Sequence, residues 1–203
     1  MELELCRTFL SLDQRNFHCW NYRRFIVEQS KTPAADEFSY STEKIEENFS
    51  NYSAFHHRSV FIKRLESQPR DLIDYEFSIT ENAIYTEPDD QSAWWYHQFL
   101  LTWLQSSLPD DSVDDLIWLF GDVLPRQLEV VRNLLTIEPN SKWAMNSLSA
   151  MLDARILLGG KLGLDRYSGE MLDHASERKK LLERLCEIDP NHINRYKFLL
   201  LLW

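Results

Sequence analysis

Apolar and aromatic positions along the chain recur at helical rather than strand spacing. Trp20, Arg23, Arg24 and Val27 fall at i, i+3, i+4 and i+7, and so do Phe55, Arg58, Ser59 and Ile62. Each set therefore shares one helical face. Ahead of each such stretch lies a second helix-like segment, at 2–12, 38–48, 72–85, 125–137 and 171–188. No run alternates apolar and polar residues as a strand would. The pattern predicts an all-α chain of five helical hairpins, bounded at 1–32, 33–68, 69–107, 108–158 and 159–203, in a single domain. Prolines at 33, 69, 88, 139 and 190 fall in the expected connections, where they break no helix.

The hairpins repeat one another in sequence. Asn16-Phe17-His18-Cys19-Trp20-Asn21-Tyr22-Arg23 is followed by Asn51-Tyr52-Ser53-Ala54-Phe55-His56-His57-Arg58, then by Asp90-Gln91-Ser92-Ala93-Trp94-Trp95-Tyr96-His97. Weaker copies open at Pro139-Asn140-Ser141 and Pro190-Asn191-His192. The aromatic anchors Trp20, Phe55, Trp94 and Trp143 are 35, 39 and 49 residues apart. Periods of this size mark stacked supersecondary units that cannot bury their apolar faces alone. Each copy opens on Asn, Asp or Pro, which suits the start of a helix. Two stretches interrupt the period. Residues 106–122 read as a longer connection with a short helix near 113–120, and 158–163, holding three of the five glycines, reads as a second loop.

Charge removes several partner classes. The chain of 203 residues carries 22 basic and 32 acidic side chains, a net −10, so phosphate backbones and anionic lipid would repel it. No apolar run approaches the length of a membrane span. The N-terminal stretch has acids where a secretion signal needs basic residues. Three widely spaced cysteines, Cys6, Cys19 and Cys186, make neither a disulfide framework nor a metal pair. A cytoplasmic, reduced protein is expected, with no nucleic acid and no membrane insertion.

The repeat resembles the one that builds the α subunits of protein prenyltransferases. In that family an Asn-aromatic opening is followed by Trp and, three residues later, Arg. Asn16, Trp20 and Arg23 match, and Asn51, Phe55 and Arg58 match with Phe for Trp. The strings NFHCWNYRRF, NFSNYSAFHHR and DQSAWWYHQFLL are most similar to the Rab geranylgeranyltransferase (type II) branch. The resemblance implies an α-α superhelix of stacked hairpins and a heterodimer with a β subunit. It further implies zinc on that β subunit, none in this chain, and geranylgeranyl diphosphate at the subunit interface. The reaction implied is transfer of geranylgeranyl to C-terminal cysteines of Rab GTPases presented by an escort protein, with this chain inactive alone. Family members carry hairpins ahead of the point matching Met1, including a Lys-x-Tyr element that reaches the diphosphate. That element has no counterpart here, so its lysine is carried over to no residue. The alternative of another class is a tetratricopeptide-like interaction scaffold, against which the spacings of 35, 39 and 49 and the missing Gly-x-x-Tyr element argue.

Through the resemblance, Asn16, His18, Asn51, Tyr52, Asp90 and Gln91 are candidates for the subunit interface or the isoprenoid-diphosphate rim. A cap-and-surface role is the plainer reading of the same residues. In farnesyl-type subunits the first opening resembles Asn-Tyr-His, so Phe17 lacks a hydroxyl that could hydrogen-bond there. Trp20, Arg23, Phe55, Arg58, Trp94 and Trp143 are expected to pack hairpin on hairpin. A guanidinium one turn beyond each anchor suits a carboxylate or a helix end of the neighbouring unit. It recurs, as a joint must and a single diphosphate clamp need not. Asp110-Asp111-Ser112-Val113-Asp114-Asp115 contains D-D-x-x-D, the spacing of a magnesium-diphosphate face. It also follows Pro109, where acids favour a helix start. His56 and His57 are adjacent, so their side chains diverge on a helix and share no metal. Cys19 beside His18 lacks a third orienting group and reads as a packed or interface thiol.

Overall fold

A computed structural model describes residues 1–65, 69–108 and 112–202, and no strand occurs among them. The helices are α1 (Glu2–Leu12), α2 (Phe17–Ser30), α3 (Ala34–Glu47), α4 (Tyr52–Ile62), α5 (Pro69–Thr86), α6 (Gln91–Ser107), α7 (Val113–Trp118), α8 (Leu124–Ile137), α9 (Lys142–Lys161), α10 (Gly169–Ile188) and α11 (Ile193–Leu201). The chain divides into two compact units, Met1–Leu104 and Gln105–Trp203.

One turn is used five times. The first helix of a hairpin ends at Asp13, Asn48, Glu87, Glu138 or Asp189. Three residues later Asn16, Asn51, Asp90, Ser141 or His192 donates its backbone N–H to that residue's carbonyl, at 3.0–3.2 Å. In the first four turns the side chain at this second position then serves the next helix, whereas His192 Nδ1 turns back to Asp189 Oδ2 at 2.9 Å. Asn16 Oδ1 accepts from the Cys19 N–H at 3.0 Å and Asn51 Oδ1 from the Ala54 N–H at 3.1 Å. Ser141 Oγ accepts from Ala144 at 3.3 Å, and Asp90 Oδ1 from Ser92 at 2.8 Å. These acceptors satisfy N–H groups that a helix start leaves open, each worth about 1 kcal/mol.

Within the first unit the anchors Trp20, Phe55 and Trp94 sit four residues after the cap and are buried. The indole N–H of Trp20 donates to the Gln14 carbonyl at 2.9 Å, and that of Trp94 to the Pro88 carbonyl at 2.8 Å. Each tryptophan thus ties its helix to the turn that starts it. Asn51 Nδ2 also donates to the Gln14 carbonyl at 3.1 Å, joining the first turn to the second.

In the second unit the fourth copy keeps the turn but shifts the anchor. Four residues after Ser141 stands Met145, which packs with Leu182, Leu185 and Tyr196 in a buried cluster. Trp143, expected as the anchor, lies two residues after the cap, is half-buried, and has the Lys142 ammonium 5.2 Å from its ring. The aromatic residue drew the repeat register two positions early.

The two interruptions also differ from expectation. The short helix α7 does form, with Ser112 Oγ accepting from the Asp115 N–H at 3.3 Å. It then runs on through a π-helical turn at Leu119–Val123 into α8. Pro125 has no N–H to offer the carbonyl four residues back, and the ladder widens just before it. The expected loop at 158–163 is largely helix, because α9 continues through Gly159 and Gly160 to Lys161. Only Gly163, at φ 76°, takes the left-handed conformation that ends it. Asp110 and Asp111 of the acidic string lie outside the described residues, while Asp114 and Asp115 occupy the first turn of α7.

Candidate functional site

Two buried joints fix how the second helices of the first unit are presented. Arg23 on α2 grips Glu37 on α3 through Nε and Nη2 at 2.7 and 2.6 Å, and His57 Nε2 on α4 meets the same carboxylate at 2.9 Å. Arg58 on α4 grips Glu76 on α5 at 2.8 and 2.7 Å, and the Tyr96 hydroxyl on α6 donates to it at 2.5 Å. Both joints have one design. A carboxylate on a first helix is held by the arginine of the preceding hairpin and by a donor from its own hairpin. All six side chains are buried.

Burial opposes charge on Glu37, but the His57 hydrogen bond and the Arg23 guanidinium outweigh it and hold its pKa below the usual carboxylate value. Burial pushes the His57 pKa down. A neutral imidazole donating from Nε2 to the Glu37 carboxylate fits both shifts.

With the joints set, each second helix shows the same two positions beside its cap. One residue after the cap come Phe17, Tyr52 and Gln91; five residues after it come Asn21, His56 and Trp95. Positions four apart lie on one helical face. The faces adjoin from α4 to α6, where Tyr52 meets Trp95 edge-on at 4.9 Å and the His56 and Trp95 rings are 5.9 Å apart. Trp95 then stacks on Phe99 at 5.9 Å. Between α2 and α4 a cleft of about 220 Å³ opens, with Phe17, Asn21, Arg24, Tyr52, Ser53 and His56 on its walls and Trp20 beneath.

Of the six rim candidates from sequence, Tyr52 lines this cleft. Asn16, Asn51 and Asp90 accept backbone hydrogen bonds at the turns. His18 and Gln91 are exposed on the first turns of α2 and α6, with the Phe17 ring 3.9 Å from His18. His56 and His57 diverge, one into the cleft and the other into the Glu37 joint. Cys19 Sγ lies 3.6 Å from the Cys6 carbonyl, and burial raises the pKa of both thiols, that of Cys6 to about 11. Such thiols are packed rather than nucleophilic. Arg24, Asn21, Trp95 and Phe99 escaped the sequence reading. Their signal was present in the constant offset of Asn21, His56 and Trp95 from the three caps.

Burial lowers the Arg24 pKa, and the guanidinium donates to Asn21 Oδ1. Burial, and then the Arg24 charge, lower the His56 pKa. The cleft therefore carries one formal positive charge near neutral pH. An arrangement of aromatic faces around a single guanidinium is suited to binding another protein.

Residues 1–30, 34–65 and 73–104 match the protein prenyltransferase alpha subunit repeat. The chain is 36% identical over 201 residues to the geranylgeranyl transferase type-2 subunit alpha of Dictyostelium discoideum, covering 98% of this chain and 57% of that one. It is 46% identical over 109 residues to the subunit of the same name from Sus scrofa, covering 49% of this chain and 19% of that one. Candida albicans protein geranylgeranyltransferase-I complexed with GGPP aligns with a TM-score of 0.44 and 14% identity, covering 98% of this chain and 82% of that chain. The chain spans less than two thirds of the length of these curated relatives. Repeat match and sequence identity together make the chain similar to the protein prenyltransferase alpha subunits, and among them to the geranylgeranyl transferase type-2 alpha subunits.

Proposed function

We propose that this chain is part of the α-subunit scaffold of a type II protein geranylgeranyltransferase and assembles with a β subunit. The observation that carries this reading is the face repeated one and five residues after each cap. It leaves an aromatic ledge of Tyr52, His56 and Trp95 at the surface, above joints that keep successive second helices in register. Large side chains held rigidly beside polar ones are what a protein interface uses as anchors.

In this reading the holoenzyme transfers geranylgeranyl from its diphosphate to C-terminal cysteines of Rab GTPases presented by an escort protein. The β subunit carries the zinc, which activates the acceptor thiolate. Geranylgeranyl diphosphate sits at the subunit interface. This chain supplies shape and contacts rather than chemistry and is inactive alone. Its place in the cell is the cytoplasm; among the described residues no helix is long and apolar enough to cross a membrane.

Co-expression with a type II β subunit and, separately, a farnesyl-type β subunit tests the reading, with size exclusion and a prenyl-transfer assay as readouts. The expected result is a stable heterodimer with the type II subunit only. Failure to bind either one, with no transfer activity, would leave the repeats as a free-standing interaction scaffold.

A further inference from the structure

Arg24 differs from the arginines that build the first unit. Arg7, Arg23, Arg58 and Arg64 each close on a carboxylate at 2.6–3.1 Å. Arg24 is half-buried and reaches no carboxylate among the described residues; its partner is the Asn21 side-chain oxygen. Glu28, the acid whose charge it feels, is bonded to Arg64 at 3.1 Å. A guanidinium partly withdrawn from water is normally paired, because desolvation otherwise goes uncompensated. Here the pairing position opens onto the cleft between α2 and α4.

Size and charge limit what can fill it. At about 220 Å³ the cleft is below the roughly 300–1,000 Å³ of small-molecule sites. It suits a side chain better than a lipid diphosphate. A diphosphate would also bring several negative charges to one guanidinium, whereas a carboxylate brings one and matches the guanidinium fork. The hydroxyls of Tyr52 and Ser53 and the Asn21 amide add donors around it, and Phe17 and Trp20 exclude water from the pair.

We propose that the Arg24 cleft is the socket for an aspartate or glutamate side chain of the partner subunit. This rests on the assembly with a β subunit proposed above. The acid would dock between α2 and α4 while the ledge of Tyr52, His56 and Trp95 covers the adjoining surface. Arg24 would thus fix the register of the partner on the repeat.

The test compares the heterodimer Kd for the unaltered chain and for R24Q, R24K and R24E with one type II β subunit. Charge reversal should weaken assembly by about 30-fold or more. R24Q should weaken it less and R24K least, while thermal melting of isolated R24Q and R24K stays close to that of the unaltered chain, because Arg24 makes no ion pair among the described residues. An acid-to-arginine substitution on the partner should restore binding to R24E alone. A heterodimer that forms normally with R24E, within threefold of the original Kd, would overturn the socket and leave the assembly intact. If the unaltered chain forms no heterodimer, the assembly reading fails instead. The socket is then decided on the isolated chain by the NMR signal of Arg24 Nε–Hε during titration with acetate and with inorganic pyrophosphate. A saturable shift with acetate supports it; a shift with pyrophosphate only, or none, overturns it.

Discussion

Removing the Arg58 side chain is the sharpest perturbation of the fold that the joints suggest. Arg58 is fully buried and donates to both oxygens of an equally buried Glu76 at 2.8 and 2.7 Å. Its Nη1 also donates to the Phe38 carbonyl at 3.0 Å, Ser41 Oγ at 3.2 Å and Thr42 Oγ1 at 2.7 Å, and its guanidinium lies 3.6 Å from the Phe38 ring. In Arg58→Ala, Glu76 keeps only the Tyr96 hydroxyl, and a cavity opens beneath Phe38. Breaking a buried pair by deleting one partner costs about 3–5 kcal/mol, a large share of the 5–15 kcal/mol that typically holds a domain. Arg7→Ala is the matched control. Its Nη1 reaches both Glu43 oxygens at 2.7 and 2.8 Å, but the pair is about two-fifths exposed on both sides, so its loss should cost under about 1 kcal/mol. Urea denaturation followed by circular dichroism measures both. A third variant, Arg58→Met with Glu76→Leu, should recover part of the loss, because it removes both charges together. If Arg58→Ala costs no more than Arg7→Ala, the joints do not hold the hairpins together.

Other consequences can be checked with the same denaturation assay. His57 has a lowered pKa in the fold, so below about pH 6.5 the unfolded chain takes up a proton that the native chain refuses, and stability falls with pH. Glu37 adds a second loss on further acidification, as pH drops through its depressed folded value; in His57→Gln the first loss should shrink while the second remains. Asn16 only accepts a backbone hydrogen bond, whereas Asn51 both accepts from Ala54 and donates to Gln14. Asn16→Asp should therefore be nearly neutral, and Asn51→Asp should cost about 1–3 kcal/mol, because a buried carboxylate oxygen would face the Gln14 carbonyl in place of the amide donor. In α9 a Cβ at Gly160 meets nothing within 4 Å, so Gly160→Ala should gain up to about 1 kcal/mol. Gly159→Ala should gain less, because its Cβ would stand 3.3 Å from Met171 Sδ.

Much of this architecture is legible in the chain because turn and helix chemistry repeat together. The caps Asn16, Asn51 and Asp90 stand at a fixed distance from Trp20, Phe55 and Trp94, so local sequence announces both where a helix starts and which face it buries. The carboxylates that complete the joints were not legible. Glu37 and Glu76 lie 14 and 18 residues beyond their arginines, across a turn, and nothing local distinguishes them from the other acids. Trp143 misled for a related reason: an aromatic residue near a cap marks a buried position only at the right offset, which Met145 holds. Glycines suggested a loop at 158–163, yet an existing helix carried two of them through before turning at Gly163. The cleft was hidden because Arg24 neighbours the structural Arg23 and carries no separate pattern.

The central claim is that the partner subunit binds the face one and five residues after the caps. Site-specific photo-crosslinking within the heterodimer tests it most directly, with the probe at Tyr52, Trp95, Ser39 or Ser78. Tyr52 and Trp95 belong to the ledge, while Ser39 and Ser78 are exposed on the first helices α3 and α5. The account predicts adducts with the β subunit from positions 52 and 95 and none from 39 and 78. Adducts from 39 and 78 alone would contradict it and move the interface to the first helices.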